Sequence, residues 1–458
     1  MKAETIRESV TDHHLPQLPE LLNATAMPSH FERELKLASS HQITDCQIIH
    51  VRYRPGRSCT VCYLLTVVDQ MTGRSQHLTI SLLACRPGES LAKFEAELAQ
   101  LHFQPIAEPG VFHLPALEAI AWVFPRDRKL SGLPALMNPE TLSRSLLPEV
   151  IKASRGAEWQ IVNLASEVVS YVSERACTLR VNIELSDPRT ETTDSLILYA
   201  KTYRADEGDR AWQCQRQLWQ SESVKSGGLL MPHPFAYQPE IKTLWQDGLE
   251  GTVLIKYERL PLFGSSLLAK AGAAVAALHQ TRLSGLPLIT IDKVIARLTH
   301  AAELLSLVRP SCREKLDAVV QRLVTTAGLI GQRSAATLHG DLHLKNFLVR
   351  GDTIALIDLD DLSLGDPLLD VGSFVAALYY RGLVVDRSSQ NTAEIVRPFI
   401  AAWQAGGGEQ ESEAALAWHT AAALIDEQAY RCITRLKAES VVVFDEIITL
   451  AARFSARF

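Results

Sequence analysis

What this 458-residue chain lacks narrows it before any motif is read. Its eight cysteines are too thinly scattered for a disulfide framework, because stapled domains crowd theirs into a short chain. Cys59-Thr-Val-Cys62 has the spacing of a redox or zinc pair. The run around it reads as a strand, where side chains three apart point to opposite faces, so buried thiols are expected. Basic charge is not in surplus: 46 Lys and Arg stand against 52 Asp and Glu, with the signs interspersed. That leaves no footprint for nucleic acid and no polybasic anchor for a membrane. No uninterrupted apolar run is long enough to span a bilayer, the opening Met1-Lys-Ala-Glu-Thr-Ile-Arg-Glu8 is charged, and no segment is of low complexity. A soluble cytoplasmic protein is expected.

What is present begins with length and apolar content, enough for two or three domains of roughly 100–200 residues. Two β-rich runs flank Pro55-Gly56 between positions 46 and 68, which predicts a hairpin. A third strand is expected over 77–85, and Leu91, Phe94, Leu98 and Leu101 space as an amphipathic helix. Val51, Tyr53, Arg57, Cys59 and Thr60 then recur as Val169, Tyr171, Arg175, Cys177 and Thr178, each 118 positions on. Residues 119–124 resemble 252–257 as a late strand of each copy. A period this long is no solenoid; it predicts one duplicated strand-strand-strand-helix-strand domain. The copies differ where Leu83 is replaced by Lys201 in mid-strand. A lysine is costly to bury there unless something anionic meets it, so the second copy is the functional one. The rest reads as helix, at 268–278, 292–329 with a break at Pro310, 370–380, 392–404, 411–436 and 440–454.

The densest chemistry lies in His339-Gly-Asp-Leu-His-Leu-Lys-Asn346, then Ile357-Asp358, then Gly365-Asp-Pro-Leu-Leu-Asp370. Phosphoryl transfer needs a carboxylate to take the hydroxyl proton, oxygen ligands for magnesium and a cation on the nucleotide phosphates. Asp341 and Asn346, five apart on one loop, suit a base and an amide metal ligand. Asp358 ends an apolar strand that a hairpin sets beside Asn346, and Lys201 supplies the cation.

These elements, over about residues 155–458, resemble the aminoglycoside phosphotransferase and choline kinase-like family, relatives of protein kinases. The resemblance implies an α+β, bilobal protein-kinase-like fold: an antiparallel-sheet N-lobe (151–260) and a mainly helical C-lobe (261–458), here preceded by a degenerate N-lobe-like domain (1–150). It implies ATP and Mg2+ as cofactors and a small-molecule hydroxyl as acceptor: a sugar, amino sugar, aminoglycoside or amino alcohol. Asp341 is then the catalytic base, Asn346 and Asp358 the magnesium ligands, and Lys201 the lysine on the α- and β-phosphates. Glu258, Arg259 and Leu260 become the hinge that meets adenine, and Asp370 the brace beneath the catalytic loop, with His339 structural. Lys345 either holds the γ-phosphate or base or is a solvated loop lysine. His343 either lines the acceptor pocket or packs. Asp360 or Asp361 faces a second magnesium or a cationic substrate, or lies on an exposed turn. Asp426, Glu427 and Tyr430 are further acceptor candidates. The loop 172–176 has no glycine, and Gln213, Gln217 and Glu222 leave open what partners Lys201. The alternative is a pseudokinase or binding module whose first domain meets a protein partner or a second copy.

Overall fold

The computed structural model describes residues 12–458, apart from 36, 38, 102–109, 259–265, 332, 387–390, 409–412 and 458. Two five-stranded antiparallel sheets come first. One holds β1 (His41–Arg54), β2 (Ser58–Asp69), β3 (Ser75–Ala84), β4 (Val111–Leu114) and β5 (Ala119–Val123), in the order β1-β2-β3-β5-β4. The other holds β6 (Gln160–Val172), β7 (Ala176–Asp187), β8 (Thr192–Tyr203), β9 (Pro234–Gln238) and β10 (Thr243–Asp247), in the matching order β6-β7-β8-β10-β9. Each sheet inserts a helix after its third strand, Ser90–Leu101 in the first and Glu207–Trp219 in the second.

Alternation explains β7, where Cys177, Leu179, Val181, Ile183 and Leu185 are buried on one face. In β2 the burial is continuous from Cys59 to Tyr63, because both faces are covered. Phe31 packs edge-on against Tyr63 on one side, and on the other Ser81 Oγ meets Ser173 Oγ of the second sheet's first turn. Cys59 and Cys62 are both buried, and burial pushes each thiol up to about 12; they are packing residues.

The first hairpins of the two sheets are held alike. Asp12 accepts from the Tyr53 hydroxyl at 2.8 Å and from the Gly56 amide at 2.7 Å. Asp127 accepts from the Tyr171 hydroxyl at 2.7 Å and from the Glu174 amide at 2.9 Å. Gly56 and Glu174, again 118 apart, both have left-handed backbone, φ 67° and 59°. For the glutamate this costs about 1–2 kcal/mol relative to glycine, so something must hold it there.

One expectation needs correction. The strand expected over 252–257 is only β11 (Thr252–Val253); Leu254–Tyr257 is a tight 3-10 turn. The strand beside the lysine strand is β10, which holds the place in its sheet that β5 holds in the first. A short apolar run reads the same whether it is a strand or a buried turn, and Leu254 is fully buried in the core the helices share. Leu130, Leu133, Leu136, Leu142, Leu147 and Val150 pack in the core of the second sheet.

Helices make up most of the remainder, including Leu268–Gln280, Ile291–Val308, Arg313–Thr326, Leu368–Asp386 and Thr392–Ala405. The helix expected over 411–436 is Glu413–Ala423, a wider π turn Leu424–Ala429 and Tyr430–Arg435. One helical window, Leu368–Val385, has the length and composition of a membrane span, and 67% of it is buried inside the protein, as a core helix is. Small strands carry the loops of interest: β12 (Leu288–Ile289), β13 (Ala336–Leu338), β14 (Phe347–Arg350), β15 (Thr353–Leu356) and β16 (Ser363–Gly365). β14 and β15 form the hairpin that β11 extends, and β16 lies between β12 and β13. An antiparallel sheet above a helical body, preceded by a further sheet, is the bilobal α+β plan expected.

Candidate active site

The site is built where β8 faces the β14–β15 hairpin. Lys201 sits in β8 between Thr178 of β7 and Leu244 of β10. Its Nζ lies 2.5 Å from Asp358 Oδ1 and 2.5 Å from Asp360 Oδ2. Burial opposes the charge on this ammonium, but Asp360 and Asp358 outweigh it and hold its pKa above the usual range. Burial also works against Asp358, and Lys201 overcomes it, holding that carboxyl low. Asp360 is deeper and accepts from the Tyr203 hydroxyl at 2.8 Å; there burial prevails and its pKa rises. The anion that lysine required is thus this pair of carboxylates. The partner candidates on or near the helix after β8 lie elsewhere. Gln213 bonds Asp209, Gln217 bonds Ser284 and Glu222 opens a separate short helix, while Gln215 donates to Asp360 at 3.4 Å.

The catalytic-loop candidates follow β13. Asp370 is buried and accepts from the amides of His339 at 2.6 Å and Gly340 at 3.0 Å, with His279 at 3.1 Å. It braces the loop through both carboxylate oxygens. His339 Nε2 lies 3.0 Å from the Ile357 carbonyl, which ties this loop to the residue before Asp358. Gly340 has φ 84°, and a Cβ there would collide with the Asp361 carbonyl, so the turn requires glycine. Asp361 itself is exposed.

Asp341 Oδ1 accepts from Arg431 Nη2 at 2.7 Å. Burial works to raise the Asp341 pKa, but Arg431 and then His343 overcome it, holding the group ionised. His343 Nε2 is 3.6 Å from Asp341 Oδ2, beyond hydrogen-bond reach; burial lowers its pKa and Asp341 works the other way. Burial lowers the Lys345 pKa too, as do Lys437, Arg381 and Arg435 around it. Asn346 is buried; its amide nitrogen donates to the Asp341 carbonyl at 2.9 Å, and its side-chain oxygen accepts no hydrogen bond among the described residues. The Ile357 amide bonds the Asn346 carbonyl at 3.0 Å, so the hairpin brings Asn346 beside Asp358. Two hard oxygen donors side by side fit a magnesium ion that keeps its waters.

Of the expected hinge residues, one is described. Glu258 pairs with Arg381 of the helix Leu368–Asp386, at 2.6 and 3.1 Å, and Arg259 and Leu260 lie outside the described residues. The chain leaves the sheet beside β8 through residues 248–251, where the Gly248 amide bonds the Ile197 carbonyl at 2.9 Å. Sequence reasoning also missed Arg431, which carries no local signature. The carboxylates before it, Asp426 and Glu427, lie on the π turn. Burial and Glu427 push Asp426 up to about 7; Arg297 lies 3.4 Å from it, and Ser373 donates to Glu427 at 2.7 Å.

Replacing Arg431 by glutamine removes the strongest influence holding the Asp341 pKa down, and burial then raises it. The acid limb of the pH–rate profile is expected to move to higher pH. An unmoved limb in the variant would dissociate Arg431 from the base.

A sheet-borne lysine meeting an aspartate at the end of a hairpin, beside an ionised loop aspartate, is an arrangement suited to phosphoryl transfer. Residues 201–419 match the phosphotransferase enzyme family (APH). Curated protein sequences gave no match. Similar solved structures include an aminoglycoside phosphotransferase from Streptomyces rimosus, 16% identical, covering 60% of this chain and 95% of that chain, with a TM-score of 0.38. A choline/ethanolamine kinase family protein from Mesorhizobium loti is 13% identical, covering 72% and 98%, with a TM-score of 0.45. An aminoglycoside 2'-phosphotransferase solved with GDP is 15% identical, covering 67% and 97%, with a TM-score of 0.42.

Proposed function

We propose that the chain transfers the γ-phosphoryl group of ATP to a hydroxyl of a small molecule. The observation that carries this reading is the meeting at 2.5 Å of Lys201 and Asp358, 157 residues apart. Between them they offer a phosphate cation and a metal ligand at one point. In this reading Lys201 exchanges its carboxylates for the α- and β-phosphates when nucleotide enters. Residues 248–250 offer adenine their backbone, and the loop 172–176 covers the phosphates. Asn346 and Asp358 would hold magnesium, which when bound neutralises charge on the transferring group. Asp341, with Oδ1 occupied by Arg431, takes the acceptor's proton on Oδ2, and Asp370 keeps the loop in register. The first sheet is a degenerate relative of the second that braces the loop 172–176.

A screen of sugars, amino sugars, aminoglycosides and amino alcohols, read by coupled ADP release, is expected to give acceptor-dependent turnover. A magnesium-dependent thermal shift with ATP should accompany it. No turnover, and no shift at millimolar ATP, would instead favour a binding module without catalysis.

A further inference from the structure

A cavity of about 290 Å³ opens on the first sheet, away from Lys201. Its walls include Leu83, opposite Thr60 in the ladder as Lys201 is opposite Thr178. It also touches Arg57 and Ser58 at the β1–β2 turn. It therefore takes the place, in the first sheet, that the nucleotide cleft takes in the second. The lysine is gone, yet six basic side chains line it against two carboxylates. Both carboxylates are already paired: Glu89 with Lys93 at 2.6 Å, and Glu174 with Arg128 at 2.7 Å and Arg52 at 3.0 Å. Arg54 and Arg57 have neither an ion pair nor a side-chain hydrogen bond among the described residues. Arg86 is fixed by donation from Nε to the Gly56 carbonyl at 2.7 Å.

We propose that this cavity binds a small anion carrying a diphosphate group, and that its occupancy loosens the loop over the nucleotide. A surplus of four positive charges matches a diphosphate better than a single carboxylate. Guanidinium forks grip phosphate oxygens in pairs, and the volume fits a diphosphate rather than a whole nucleotide. The coupling runs through Glu174. Arg52 and Arg128 line the cavity and also hold that glutamate in its left-handed conformation, and Arg52 donates to the Ser173 carbonyl at 3.1 Å. An anion that recruits these two arginines competes with Glu174 for them. Binding in the cavity and binding of nucleotide then oppose each other, reciprocally. The coupling rests on the role proposed above for the loop 172–176; the binding does not.

Titration calorimetry with inorganic pyrophosphate tests the site without any need for turnover. Asp341→Asn protein is expected to bind pyrophosphate, and adding Arg54→Ser and Arg57→Ser should weaken it at least about tenfold. Both arginines are exposed, so circular dichroism should show the fold intact. No binding heat, or equal affinity with the serines present, would overturn the site. Magnesium-free ATP added to Lys201→Met protein identifies the source: displacement of pyrophosphate assigns the cavity to a nucleotide's phosphate tail, and no displacement assigns it to a free diphosphate. In the wild type, pyrophosphate should raise the KM for ATP, and less so with the two serines. Equal KM effects would remove the coupling.

Discussion

Asparagine at position 341 is expected to lower kcat by about 10²–10⁴-fold while leaving the KM for ATP nearly unchanged. The reasoning starts from the charge state. Asp341 is half-buried, and burial alone would favour its neutral form, yet Arg431 at 2.7 Å holds it ionised. An ionised carboxylate with one oxygen occupied and the other free can accept a hydroxyl proton; an amide of the same shape cannot. Lys201, Asp358 and Asn346 are untouched by the change, so nucleotide should bind as before, and what remains of the rate reflects positioning and charge neutralisation. Coupled ADP release gives the rate, and a thermal melt confirms the fold. A variant that keeps its rate within about tenfold of wild type would remove Asp341 from proton transfer.

The parts of the candidate site that were legible in the sequence are those whose chemistry needs particular side chains at short fixed intervals. Asp341 and Asn346 share one short loop, and the hairpin that follows returns Asp358 beside Asn346. Asp370 was legible for a related reason, since its two oxygens answer two consecutive amides, His339 and Gly340. Alternating burial and the Pro55-Gly56 turn made the strands readable. Arg431 was invisible because its partner lies 90 residues upstream, and an arginine on a helix looks like any solvated one. Asp360 was seen, but as a metal or substrate ligand, because nothing in Asp358-Leu-Asp360 says that one lysine sits between both carboxylates. The late strand was misread because the run from Val253 to Ile255 is apolar for packing, while the strand beside Lys201 is the shorter Thr243–Asp247. Glu174 gave no signal at all. Only the match to Gly56, and two arginines from outside its own sheet, explain a glutamate at a left-handed position.

Methionine at position 201 should affect both activity and stability, and the two effects can be separated. Without the ammonium, the nucleotide phosphates lose their cation and kcat/KM for ATP is expected to fall by about 10²–10³-fold. Asp358 and Asp360 are then left facing each other, each 2.5 Å from where the ammonium was. Removing one partner of a fully buried pair costs about 3–5 kcal/mol. The Asp358 side chain is 44% exposed, so screening should reduce the loss to about 1–3 kcal/mol. The pH dependence has a definite sign. In the wild type the folded-state pKa of Asp358 is depressed; its contribution is present above the unfolded pKa and is lost as pH falls through the folded one. In the variant, burial and mutual repulsion leave the pair holding a proton more tightly than the unfolded chain does, so acid stabilises the fold. The variant should therefore melt several degrees below wild type at about pH 8 and close to it at about pH 5. Adding Asp360→Asn removes the repulsion and should restore most of the melting temperature at alkaline pH without restoring turnover. A single variant as stable as wild type at both pH values would mean that Lys201 does not neutralise this pair, and full turnover in it would remove the lysine from the phosphates.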